Sequence, residues 1–108
     1  RDYIHVMDLA DAHLSAMEFL LKNNAQLINL NIGTGIGTSV LELIETFRLV
    51  NKCQVPYEIS DRRKGDVAKV IADNKKVISK LNWKPKRNLQ EMCRDGWNWQ
   101  IKNPVGYK

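Results

Sequence analysis

An α/β fold is the class this sequence predicts. Three observations lead to it. Short stretches of alternating apolar and polar residues read as strands, four longer stretches carry apolar residues at helical spacing, and short links interleave the two. The 108 residues amount to one domain. With 44% apolar and 27% charged residues the composition is that of a soluble globular protein. No apolar run approaches the roughly 20 residues that span a bilayer, and no signal segment opens the chain. It starts with Arg rather than Met, which is expected of a processed chain or of a piece of a longer one.

Arg1–Val6 alternates and reads as extended. Asp8 is the expected cap of a first helix, with Asp11 in its first turn. Its apolar side holds Leu9, Ala12, Ala16, Met17, Leu20 and Leu21, and Asn23-Asn24 ends it. Leu27–Ile32 alternates and predicts a strand. A glycine-rich loop, Gly33-Thr34-Gly35-Ile36-Gly37-Thr38, follows. Ser39 and Glu42 form a capping box for a second helix with Val40, Leu43, Ile44, Phe47 and Val50 on one face. Val55–Ser60 is a second strand candidate, limited by Pro56 to an edge or a strand start.

Asp61–Asp66 (DRRKGD) is a polar turn on Gly65. Val67–Ala72 is a short apolar, extended candidate. Asp73 or Asn74 opens a short helix using Val77, Ile78 and Leu81, broken by Trp83-Lys84-Pro85. Asn88 and Glu91 form the Asn variant of a capping box for a last helix through Leu89, Met92, Cys93 and Trp97, stopped by Asn103-Pro104. Four amphipathic helices need a sheet to cover, and two or three short strands are few for that task. The core is expected to be thin, or the helices to pack on parts outside this chain.

The net charge of +5 is unevenly spread. Residues 1–61 carry 4 basic and 8 acidic side chains, whereas residues 62–87 carry 10 basic and 2 acidic ones. Such a block suits an anionic partner, a phosphorylated small molecule or a nucleic acid, or simply keeps the chain soluble. Cys53 and Cys93 fit neither a disulfide framework nor a zinc spacing, and reduced thiols in a cytoplasmic protein are expected. His5 and His13 lack the spacing of helical metal ligands, so no metal site is expected. No nucleophile constellation is present, and no catalytic residue is assigned.

Gly33, Gly35 and Gly37 sit between a strand and a helix, the setting of a dinucleotide-binding loop. The third glycine comes one position early, however, and no acidic residue ends a following strand, so a structural turn is favoured. The DRRKGD turn is the best candidate site. An Arg fork grips phosphate oxygens, Gly65 permits a tight turn beside a ligand, and Asp66 accepts from hydroxyls such as those of a ribose. Arg62, Arg63 and Lys64 are adjacent and splay apart, so only one or two reach a common ligand. A solvated basic turn is the competing reading. Trp97 lies on the apolar side of the last helix, where packing is expected, and Gly96 would allow a close helix approach.

Several segments together resemble the UDP-glucose 4-epimerase family of extended short-chain dehydrogenase/reductases. They are Arg1-Asp2-Tyr3-Ile4-His5-Val6-Met7-Asp8-Leu9-Ala10-Asp11-Ala12-His13, the loop Asn31–Gly35, Arg62–Asp66, Leu81–Pro85, Gly96–Gln100 and Asn103-Pro104-Val105-Gly106-Tyr107. The resemblance implies a C-terminal fragment of a Rossmann-type enzyme. About 38–80 would be a substrate-binding subdomain, and 7–32 and 88–108 would pack on a missing NAD-binding domain. It implies NAD held by that missing part, a UDP-hexose substrate and a homodimeric parent, with neither nucleic acid nor membrane as partner. A Tyr-x-x-x-Lys pair is absent, so the fragment itself is expected to be inactive. The resemblance makes Arg1 and Arg63 phosphate-binding arginines, places Tyr3 beside the same ligand and gives Asp66 a ribose hydroxyl. The rivals are another NAD-dependent nucleotide-sugar epimerase or dehydratase and, from a different class, a small basic nucleic-acid-binding module.

Overall fold

The computed structural model describes residues 1–106; Tyr107, the last residue of the Asn103–Tyr107 segment, and Lys108 lie outside the described residues. Four helices follow one another: α1 (Val6–Lys22), α2 (Val40–Asn51), α3 (Lys75–Leu81) and α4 (Leu89–Lys102). α2 packs against α4, and α1 meets α3. Each pair thus joins one helix from 38–80 with one from outside it.

Local sequence explains the helix ends. Ser39 Oγ accepts from the Glu42 N–H at 3.1 Å while Glu42 accepts from the Ser39 N–H at 2.6 Å. Asn88 and Glu91 repeat this reciprocal arrangement at 2.9 and 2.8 Å. Both expected boxes therefore form, satisfying N–H groups that have no partner inside the helix. Asn23 and Asn103 end α1 and α4 as expected. Asn82 ends α3 in the left-handed region, which Asn tolerates better than most residues.

The start of α1 differs from the expectation. His5, not Asp8, is the N-cap, its Nδ1 accepting from the Met7 N–H at 3.0 Å. Val6 is accordingly helical rather than extended. Asp8 is buried and faces Arg87, so a tertiary ion pair takes the carboxylate that capping would have used. At α3, Asn74 occupies the cap position without a side-chain cap bond and instead donates to the Gly33 carbonyl at 3.1 Å.

No strand ladder occurs among the described residues, which corrects the strands expected at 27–32, 55–60 and 67–72. The side-chain pattern of 27–32 is nevertheless present. Ile28, Leu30 and Ile32 are half-buried, whereas Leu27, Asn29 and Asn31 are exposed. A strand also needs a neighbour to exchange backbone hydrogen bonds, and none lies beside this segment among the described residues. The alternation thus reports which side faces the core but cannot supply the partner.

The core is small. Ala12, Val77 and Trp83 are buried together, with Ile4, Leu30, Ile32 and Leu81 packed around them. Trp83, expected to break a helix, also roofs this cluster. Phe47 and Trp97 make an edge-to-face pair at 5.7 Å between α2 and α4, the packing role expected for Trp97. The exposed surface is 8715 Å², against about 6,200 Å² for a compact monomer of this mass. The radius of gyration is 16.9 Å, against about 13 Å for a compact chain of this length. Along α1 the apolar stripe is buried only in its first half, while Met17, Leu20 and Leu21 remain exposed. The expectation of a thin core is met. No described helix is long and apolar enough to cross a membrane.

Candidate functional site

Arg1 and the DRRKGD turn come together across 65 positions of chain. The Arg1 guanidinium donates to Asp66 Oδ1 at 2.7 Å and to the Val67 carbonyl. Arg62 donates to the Asp66 carbonyl at 3.0 Å. Gly65 adopts φ +84° at the head of the turn, a conformation open to glycine at little cost, and the Asp66 N–H closes the turn on the Arg63 carbonyl at 3.2 Å. Arg1, Arg62 and Asp66 line a cleft of about 240 Å³. Arg63 is exposed on the same turn but does not line this cleft. Adjacent side chains splay, as expected, and here Arg62 is the one turned inward. Nothing in the sequence alone separates Arg62 from Arg63.

Tyr3, two residues from Arg1, lines a different cavity of about 740 Å³, bounded by the start of α1, by α2 and by α4. Phe47, Met92, Gly96 and Trp99 make its wall largely apolar. A Cβ at Gly96 would meet nothing within 4 Å. Among the described residues no helix approaches there, which corrects the close helix approach expected at Gly96. His5 and Asp95 close one end, with Nε2 and the carboxylate 3.2 Å apart. Hydrogen bonds from Arg94 and then His5 hold the Asp95 carboxyl below the ordinary carboxylate range. Burial pushes the Cys93 thiol above its ordinary range.

The glycine-rich loop is occupied by the chain itself. Asp2 Oδ1 accepts from the Thr34 N–H at 2.9 Å and from the Thr34 hydroxyl. Its Oδ2 accepts from the N–H groups of Gly35 at 2.9 Å and Ala72 at 3.2 Å. Burial opposes the charge on Asp2, but these bonds outweigh it and lower the pKa. A Cβ at Gly33 would lie 2.5 Å from the Ala72 Cβ and 2.8 Å from Asp2. The loop therefore does not fit a dinucleotide: its donors are spent on Asp2, and its glycines serve close packing. This is the structural turn that the glycine spacing favours. Asp2 itself was missed, although an acid beside Arg1 and a loop rich in free N–H groups were both visible in the sequence.

Among the described residues no group of three or more His, Cys, Asp or Glu is placed to hold a metal. Trp83 is buried and Trp97 packs edge-to-face against Phe47, so both serve the packing of the helices.

The chain belongs to the family described as GDP-mannose 4,6 dehydratase, whose model matches residues 1–96. Relatives named UDP-glucose 4-epimerase match it along its whole length. It is 49% identical to the UDP-glucose 4-epimerase of Bacillus subtilis (strain 168) over 108 residues, covering 100% of this chain and 32% of that protein. It is 46% identical to the Dictyostelium discoideum enzyme of the same name, covering 99% and 31%. The crystal structure of UDP-glucose-4-epimerase from Stenotrophomonas maltophila, with bound NAD and formylated UDP-arabinopyranose, superimposes with a TM-score of 0.89 at 48% identity. That match covers 94% of this chain and 30% of the other. The chain thus spans about a third of the length of the relatives it matches.

Proposed function

We propose that this chain is the nucleotide-holding, C-terminal part of an NAD-dependent UDP-glucose 4-epimerase, which interconverts UDP-glucose and UDP-galactose. One observation carries the reading: Arg1 reaches across the fold to the DRRKGD turn. These are the two segments that the family resemblance assigns to one diphosphate. In this reading Arg1 and Arg63 clamp the UDP phosphates, with Arg63 turning in from outside the cleft; Asp66 accepts from a ribose hydroxyl, and Tyr3 flanks the ligand from the neighbouring cavity. Arg62 adds a further guanidinium to the cleft. Arg1 spends two donor directions on the turn, and a guanidinium keeps further N–H groups for phosphate oxygens.

The described residues contribute grip, not redox chemistry. NAD, when bound to the rest of the parent, would supply the hydride acceptor. Inverting a sugar carbon demands that the hexose turn over while the nucleotide stays fixed. A charged clamp at the diphosphate provides that fixed end. The half-exposed stripe of α1 and the apolar cavity beside Gly96 support a second part of the proposal. In it, 7–32 and 88–108 pack on the NAD-binding domain, 38–80 forms the substrate-binding subdomain, and the parent is a cytoplasmic homodimer.

The test is UDP titration of the full-length protein. Arg1→Ala and Arg63→Ala each weaken UDP binding by about tenfold or more, the scale of one charge-assisted hydrogen bond. Arg62→Ala shows whether the inward-facing guanidinium shares the load. Unchanged affinity in Arg1→Ala removes the clamp.

A further inference from the structure

We propose that Asp2 is a positioning residue for the nucleotide clamp: as an internal anion it seats itself in the glycine-rich loop and thereby fixes Arg1 against the 62–67 turn. This rests on the reading that Arg1 holds the diphosphate of a UDP-sugar.

The geometry is specific to a carboxylate. All four partners of Asp2 donate: the Thr34 N–H and hydroxyl on one oxygen, and the Gly35 and Ala72 N–H groups on the other. An ionised carboxylate is the side chain that only accepts. An amide would turn an NH₂ group toward a donor on one side or the other.

Asp2 ties its own segment to Gly33–Thr38 and to Ala72, which flank the residues that line the cleft, Arg1, Val40, Arg62 and Asp66–Ala68. Gly33–Thr38 is held from its other side by Asn74, which donates to the Gly33 carbonyl at 3.1 Å. Arg1 pairs with Thr38 through reciprocal backbone bonds, both 2.8 Å. Ala72 lies a few residues beyond Val67, whose carbonyl takes the Arg1 guanidinium. Asp2 therefore sets the distance from the Arg1 backbone to the strap that carries Asp66. Gly33 has no room for a side chain because Ala72 and Asp2 come so close. Thr34 stiffens the same joint, since its hydroxyl donates to Asp2 and accepts from the Ile36 N–H at 3.1 Å. Arg1 is exposed, and its other anchors, the Thr38 backbone pair and the Asp66 and Val67 acceptors, lie on or next to the segments that Asp2 holds, so its aim depends on this seat.

The test is a double-mutant cycle in the full-length protein, reading UDP affinity together with KM and kcat for the UDP-hexose. Asp2→Asn is expected to weaken UDP binding about tenfold, because a displaced clamp loses alignment before it loses charge. KM rises in step while kcat stays within about twofold. In an Arg1→Ala background Asp2→Asn then has no further effect on UDP affinity, since it acts through Arg1. A merely structural aspartate would act equally in both backgrounds, and that result overturns the inference. So does Asp2→Asn with unchanged UDP affinity when Arg1→Ala is weakened. If Arg1→Ala itself binds UDP normally, the clamp reading fails instead, and the inference falls with it. Should Asp2→Asn not fold, Thr34→Val decides. It removes one donor from the same seat and is expected to weaken UDP about threefold, again only when Arg1 is present; no change, or the same change without Arg1, overturns the inference.

Discussion

Asp8 anchors the best-defined tertiary link in the molecule, and its replacement tests the packing directly. Its side chain is 1% exposed. One carboxylate oxygen accepts from the Lys86 and Arg87 N–H groups at 3.0 and 2.9 Å; the other meets the Arg87 guanidinium. Asn at position 8 can keep its oxygen on the two N–H groups but then faces the guanidinium with an NH₂. The loss is one charge-assisted bond, eased because Arg87 is partly exposed and has Asp11 3.5 Å away. About 2 kcal/mol is expected for Asp8→Asn. Ala leaves both N–H groups without an acceptor as well, and about 4 kcal/mol is expected for Asp8→Ala.

Urea unfolding followed by fluorescence reads both values, with the buried Trp83 reporting on the joint between α1 and α3. Acid adds a second check. Burial of Asp8 opposes its charge, yet the N–H groups of Arg87 and Lys86 and the Arg87 side chain prevail and lower its pKa. A depressed carboxylate contributes stability that is present above its unfolded value, about 4, and is lost as pH falls through the folded value. The gap between wild type and Asp8→Asn therefore shrinks below about pH 4. Equal losses in Asn and Ala, losses under about 1 kcal/mol in both, or a gap independent of pH would refute this account.

Two glycines are expected to respond in opposite directions. Gly33→Ala forces a Cβ into Ala72 and Asp2 and costs about 1–3 kcal/mol, whereas Gly96→Ala meets open space inside α4 and stabilises the isolated chain by about 1 kcal/mol. Thermal melts of the two variants check this. With the Met17, Leu20 and Leu21 side of α1 exposed, the 108-residue chain alone is expected to associate or melt broadly in sedimentation and calorimetry. A sharp, concentration-independent melt of a monomer would count against the proposed packing on a second domain. Met17→Lys with Leu21→Lys is expected to reduce the association without disturbing Trp83 fluorescence.

Much of the local architecture was legible from residue types. Ser39 with Glu42 and Asn88 with Glu91 announce their helices because each box pairs donors and acceptors only three residues apart. Asn23, Asn103 and Gly65 mark stops and turns for equally local reasons. The alternation of 27–32 was legible too, and burial follows it residue by residue. Legibility ended where a group's partner is distant in sequence. Asp8 reads as a cap until Arg87 arrives from the far end of the chain. Asp2 carries no local signal for the loop it fills, and the choice between Arg62 and Arg63 rests on how one turn rotates against Arg1.

By itself, then, the sequence determined most helix ends, which side of each segment is apolar, and that the basic turn at 61–66 is the anionic-ligand candidate, to which the family resemblance adds Arg1. Only the tertiary structure decided that the turn folds onto Arg1, that Asp2 takes the glycine loop's donors, and that an alternating segment finds no ladder partner among the described residues. The reason is physical: caps and turns are satisfied within a few residues, whereas a buried carboxylate, a clamp or a strand is complete only when a remote part of the chain supplies the other half of the bond.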